Sequence, residues 1–457
     1  MSSNTTARAP SSYVIIIAST FCLNFGAYFA IANQLTSIFG QQGFYILTVI
    51  QFSFLCGTFL GQLIQDILGS RKMLILGSFS FSILSLTVAL TIDAPESRWI
   101  LYPISVFCGV CASWMWCAQG SYVSSLFSSD KQGEGFGKFN SIFSLNGVWA
   151  FLLLLVLAVA NVKQRTIIWI FFGFSVLAFV SFFTVQDWPK KADVGNTKNN
   201  VIIDTQSKPS VGEQFLAVGR MFGNKEMLLQ APLALWCGNT EGMYWGQMAQ
   251  EYGSAEMIAA AFLMQSVVAL FASITFGKFS DRYGRFLAVS ICLIVAIVTN
   301  FSTGLGVDIK ISMVGNSTIP SYEGGDVISR WTYILVGAFG FGISDFPAQA
   351  IMRAQYHAIW ESDLQKLESA MPNMLAVLMS GTLAAVLYGG FVSTWFSLTL
   401  NSVLAAVALM CQYFLPKHIN RLNYTNPKLK NIYTNAKLKN IETATVEVEK
   451  VVVTTTT

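Results

Sequence analysis

Residues 277–285 read GKFSDRYGR, and residues 61–72 read GQLIQDILGSRK. Both stretches stand between two long apolar runs. Each sets a glycine, then an acid, then a second glycine and a basic residue across a short polar turn. In the first these are Gly61, Asp66, Gly69 and Arg71. In the second they are Gly277, Asp281, Arg282, Gly284 and Arg285, with one residue fewer between the leading glycine and the acid. Glycine permits a tight turn and close approach of helices. The acid can meet a basic neighbour or a helix end, forming a latch that breaks when two halves rock. The same device in two places suggests that the chain is built from two similar halves.

Composition identifies the solvent. Hydrophobic residues make up 53% of the 457-residue chain and charged residues 11%, against roughly 25% charged in soluble proteins. Such a chain needs a lipid bilayer around it. The net charge of +4 is too small to point to nucleic acid. All eight cysteines lie in apolar runs, so a disulfide framework is not expected, and Cys108 and Cys111 read as small packing residues rather than a redox pair. The two histidines, His357 and His418, fall in polar segments and offer no material for a metal site. No cofactor is expected, and no nucleophile–base pair or phosphate loop suggests an enzyme.

A transmembrane helix needs about 20 mostly apolar residues. On that measure the sequence predicts twelve, near 13–33, 44–64, 73–92, 99–124, 142–161, 166–185, 226–247, 255–276, 286–306, 331–353, 371–390 and 394–415. Only Arg8 among basic residues precedes the first, and a second span follows at once, so it reads as an uncleaved anchor. With both termini cytoplasmic, the outward loops hold only Arg98, Lys163, Arg165, Lys310 and Arg330 of the 28 basic residues. The chain then divides into a cytoplasmic N-terminus (1–12), a six-helix bundle (13–185), a polar central loop (186–225), a second six-helix bundle (226–415) and a disordered cytoplasmic tail (416–457). The tail repeats YTNPKLKNI (424–432) as YTNAKLKNI (433–441). A sequon at Asn316 lies in an outer loop and makes that residue a glycosylation candidate.

The paired loops with twelve spans around them resemble the signature of the major facilitator superfamily, which implies an all-α membrane fold of two six-helix bundles. A narrower resemblance rests on WMWCAQGSYVSS (114–125) and GEGFGKFNSIFSLNGVWAF (133–151), with FGKFSDRYGR and GISDFPAQA (342–350) in the second half. The matching residues include Trp116, Ala118, Gln119, Gly120 and Tyr122, then Gly137, Val148 and Trp149. This pattern is similar to the uncoordinated-93-like branch. It implies either a transporter or a non-transporting partner that regulates a potassium channel or escorts a membrane receptor, in the plasma membrane or an endomembrane.

Polar residues inside the spans are the candidates for function, because each unmet polar group in lipid costs several kcal/mol. Gln119 with Gly120 reads as a helix–helix contact that either fixes the bundle or lines a cavity, the glycine admitting a close neighbour. Asn24, Asn146 and Asn239 interrupt other spans. Asp345, Gln349 and Arg353 share one helix face at spacings of four. Glu241 and Asp345 are the acids best placed to carry a proton or a cation, unless Asp345 is held structurally by Gln349 or Glu241 is wetted by a helix break at Gly238 or Gly242. Arg353 reads as the inner end of its helix. The tryptophans, Trp116 among them, read as interface belts and packing. With no lysine or arginine at mid-span, the expected cargo is a neutral, cationic or amphipathic small solute moved by alternating access.

Overall fold

The computed structural model describes residues 10–39, 41–127, 131–185, 216, 219–248, 251, 255–308, 310–313, 320–323, 327–360, 364–389 and 391–425. The sequon at Asn316, most of the central loop and the tail beyond 425 lie outside these residues. Helices occupy all twelve expected positions. The first half comprises α1 (Pro10–Phe39), α2 (Gln41–Thr58) continued by α3 (Gly61–Leu68), α4 (Ser70–Thr91), α5 (Leu101–Leu126), α6 (Gln132–Val159) and α7 (Gln164–Ser181). The second comprises α8 (Lys225–Gly242), α9 (Ala255–Tyr283), α10 (Arg285–Asp308), α11 (Val327–Trp360), α12 (Leu364–Gly389) and α13 (Thr394–Thr425). A hairpin pairs Lys310–Met313 with Pro320–Glu323 between α10 and α11.

Ten of these helices are long and apolar enough to cross a membrane on their own composition. The second position is broken into α2 and α3, and the seventh passes from α8 into a π-helical turn, Met243–Met248. Apolar side chains such as Val156, Leu177, Phe271, Val298 and Phe301 point outward with half or more of their surface exposed, as a lipid solvent requires. Several helices outrun their apolar stretches. α11 continues seven residues past Arg353, and α13 passes through Pro416 to Thr425. A hydropathy window stops at the first charge, whereas a helix stops where its backbone bonds do.

The turn glycines explain the paired loops. Gly69 and Gly284 have φ of 77° and 102°, a region L side chains avoid, and each lets one helix end and the next begin at once. The halves then meet along two seams. α6 lies along α9, and α2 packs on α12. The first seam is built from small residues. A side chain at Gly137 would stand 2.7 Å from the Ser273 carbonyl oxygen, and one at Gly277 would stand 2.5 Å from that of Gly133. Backbones in direct contact pack well in lipid, where no hydrophobic force draws helices together.

Within the second half, buried amides form closed networks. Gln230 donates to Gln355, Gln355 to Gln412 and Gln412 back to Gln230, at 3.2, 3.0 and 3.1 Å. This ring ties α8, α11 and α13 together, each amide donating once and accepting once.

Candidate functional site

Between the halves lies a central cavity with about 790 Å³ of empty space, counting its mouth. One wall is aromatic and comes from the first half: Phe25 and Tyr28 of α1, Phe81 of α4, Trp116 of α5 and Phe143 of α6. These rings lock together, with centroids 4.7 Å apart for Tyr28 and Phe81 and 5.2 Å for Phe25 and Trp116. The facing wall comes from the second half and carries the charge, through Glu241 of α8 with Gln349 and Arg353 of α11.

Gln349 organises the charged wall. Its Nε2 donates to Glu241 Oε1 at 2.6 Å and to Asp345 Oδ1 at 3.3 Å. Glu241 is partly exposed into the cavity, whereas Asp345 is 2% exposed and sits behind the amide. Pro347 shapes the helix here. A proline cannot donate to the carbonyl four residues back, and the Cys292 thiol covers that oxygen, Ile343 O, at 3.8 Å. The neighbouring carbonyl of Phe346 accepts from Asn140 Nδ2 of the other half at 3.1 Å.

Arg353 differs from its reading in the sequence. It does not end a helix at the interface. It is 4% exposed, lines the cavity, and holds its Cζ 5.0 Å from the centre of the Trp116 ring across the midline. A guanidinium over an indole face is attracted by the ring quadrupole, which offsets part of the cost of burying the charge. Trp116 is accordingly part of the cavity wall and not a belt residue. His357 is likewise within α11 and buried, not in a polar segment.

The other candidates distribute as follows. Asn239 accepts from the Tyr388 hydroxyl at 2.7 Å and donates to Asn401 at 3.0 Å, inside the second bundle. Asn24 accepts from Ser78 at 2.8 Å, and Asn146 donates to the Phe143 carbonyl at 2.6 Å. None of the three lines the central cavity. Gln119 is 1% exposed and also lies outside the lining, and its Nε2 has no hydrogen-bond partner among the described residues. Gly120 admits no close neighbour: a side chain there would meet nothing within 4 Å. The tight crossings of α5 fall nearer its middle, where Gly109 meets the backbone of α2 and Val110 meets Gly57. An interrupted apolar run marks polarity, and the crossing point is set by the partner helix.

Where α6 begins, polar contacts join the two halves. Asp281 at the end of α9 accepts from the backbone N–H of Glu134 at 2.8 Å and of Gly133 at 3.3 Å, both at the start of α6. Arg285 approaches the same carboxylate at 3.9 Å, and Arg282 lies over Tyr283. A carboxylate on a helix N-terminus is favoured by the dipole and by the unpaired N–H groups. In the first copy, Arg71 donates to Phe183 O at 3.1 Å within its own half, and Gly61 is packed on Cys117. Asp281→Ala is expected to shift the balance toward separation of the halves at this contact by about tenfold, the equivalent of about 1.4 kcal/mol. Spin labels at Lys131 and Tyr283 would then show a longer distance component. An unchanged distribution would mean that the α6–α9 seam alone holds the halves together here. A second cavity adjoins the first, sharing Tyr28, Phe29, Gln51 and Thr382 and reaching Asn33, Phe44 and Gly246.

Two six-helix bundles around a central cavity, joined by one of two loops that share a motif, make this a membrane carrier fold. The chain belongs to the Major Facilitator Superfamily, whose family model matches residues 12–359. It is similar to UNC93-like protein 3 of Arabidopsis thaliana, with 22% identity over 291 residues covering 59% of this chain. The chain spans 60% of the length of that curated relative. Among solved structures it resembles the E. coli fucose:proton symporter FucP, with a TM-score of 0.61 at 10% identity over 89% of this chain and 98% of that one. A second structure of FucP, in the outward conformation, gives a TM-score of 0.60 at 11% identity over 88% and 99% of the two chains.

Proposed function

We propose that the protein is a secondary carrier for a small amphipathic solute, neutral overall, moved by alternating access and coupled to protons. The reading rests on one observation above all: an aromatic wall from one half faces a glutamate and a buried aspartate, held on one amide, from the other. The solute's apolar body lies against Phe25, Phe81 and Phe143, and Glu241 meets its polar end. Asp345, behind Gln349, carries the proton. The two carboxyl groups accept from the same Gln349 nitrogen, so a change of charge at one is felt at the other. With both termini cytoplasmic, as the placement of lysine and arginine favours, the Asp281 latch closes the inner face and the second cavity is the outward path.

The test is uptake into liposomes that hold the purified protein. A proton gradient, inside alkaline, is applied with a panel of amphipathic solutes. Gradient-driven accumulation of one of them, reduced at least about tenfold in Glu241→Gln with folding intact, is the expected result. No flux of any solute under any gradient, with a channel or receptor co-purifying, would replace the carrier by the regulatory partner that the uncoordinated-93-like resemblance implies.

A further inference from the structure

The charged wall holds a feature that coupling does not use. Arg353 is buried and lines the cavity, yet its Nη1 has no hydrogen-bond partner among the described residues. Among those residues it also makes no ion pair within 4.0 Å of Glu241 or Asp345. A buried guanidinium nitrogen without a partner is costly. The Trp116 ring attracts the cation but cannot accept from Nη1 as an oxygen would. Glu241 reaches the same cavity through Gln349, one helix turn from Arg353, or about 6 Å along the axis. One wall of the cavity therefore carries a guanidinium, one of whose nitrogens is sealed and unpaired, and a carboxylate at a neighbouring level, with rings opposite.

We propose that the solute is a zwitterion with an apolar or aromatic body, such as an amino acid, whose carboxylate is taken by Arg353 and whose ammonium is taken by Glu241. This deepens the carrier reading and rests on it for the word solute. A simple cation would satisfy Glu241 and leave Arg353 unmet beside a second positive charge. A simple anion would meet Arg353 with Glu241 close by. Only a molecule carrying both charges a few bonds apart satisfies both groups, and a site built to pair two charges rejects analogues lacking either one.

Equilibrium binding to the purified protein in detergent tests this without requiring transport. The probes are L-phenylalanine, L-leucine and L-tryptophan, each beside its decarboxylated amine and its deaminated acid. At least one amino acid is expected to bind about tenfold or more tightly than both of its analogues. Arg353→Gln should then lose the preference over the amine but keep that over the acid, and Glu241→Gln the reverse. An amine that binds wild type as well as its amino acid, or no binding by any amino acid, overturns the assignment. So does a full preference for the amino acid over the amine in Arg353→Gln. If either variant fails to fold, the wild-type comparison still decides. Binding of the zwitterion with no counterflow in liposomes would leave this site standing and remove the carrier reading. Counterflow of another solute with no amino-acid binding would do the opposite.

Discussion

Asp345→Asn is expected to abolish proton-driven accumulation, by about 100-fold or more, while the protein still equilibrates its solute downhill. The asparagine has the shape of the aspartate and can still accept from Gln349 through its side-chain oxygen, so the 3.3 Å contact survives. What disappears is the ability to bind and release a proton. Asp345 is 2% exposed and does not line the cavity, so the substitution leaves the solute's own contacts in place. The pH dependence should change with it. In the wild type, uptake falls as the pH on the open side rises, because the carboxyl pair there loses its proton. In Asp345→Asn the downhill rate should be nearly flat over the same range. Liposome counterflow with and without a gradient measures both quantities. Full gradient-driven accumulation in the variant would assign the proton to Glu241 alone, and loss of counterflow as well would mean that Asp345 holds the site's shape.

The largest effect on stability is expected at Gly238. The crossing of α8 with α12 has no room for a side chain: a Cβ on Gly238 would run into the Leu378 carbonyl, and one on Gly381 into that of Leu235. One turn on, Gly242 faces Thr382 O at 2.5 Å and Ala385 at 2.7 Å by the same measure. These are backbone atoms in two packed helices, so nothing nearby can rotate away. Gly238→Val should cost about 3 kcal/mol, enough to lower the thermal midpoint by about 3 °C in a chain of this length or to reduce accumulation of folded protein. Because the crossing lies one turn from Glu241, separating the helices would also spoil the site. Gly173→Ala on α7 is the control. A side chain there meets nothing within 4 Å, and in a helix the change should be neutral or stabilising by about 0.5–1 kcal/mol. Equal melting of both variants would show that the crossing tolerates separation.

The sequence by itself determined the solvent, the helix count and the two-bundle class. Those follow from local properties: long apolar runs, few charges, and a glycine–acid–glycine turn that recurs in both halves. The stripe Asp345, Gln349 and Arg353 was legible for the same reason, since spacing within one helix is set by its own geometry. Only the tertiary structure decided what these residues meet. It placed Glu241 on Gln349 across 108 positions of sequence, set Arg353 over Trp116 of the other half, and put Asn24, Asn146 and Asn239 into bonds away from the cavity. It also moved the close crossing from Gly120 to Gly109, and joined Gln230, Gln355 and Gln412 into a ring. A polar group in lipid must find a partner. Its own sequence announces the need, but the partner lies on another helix, and only the packing of helices names it.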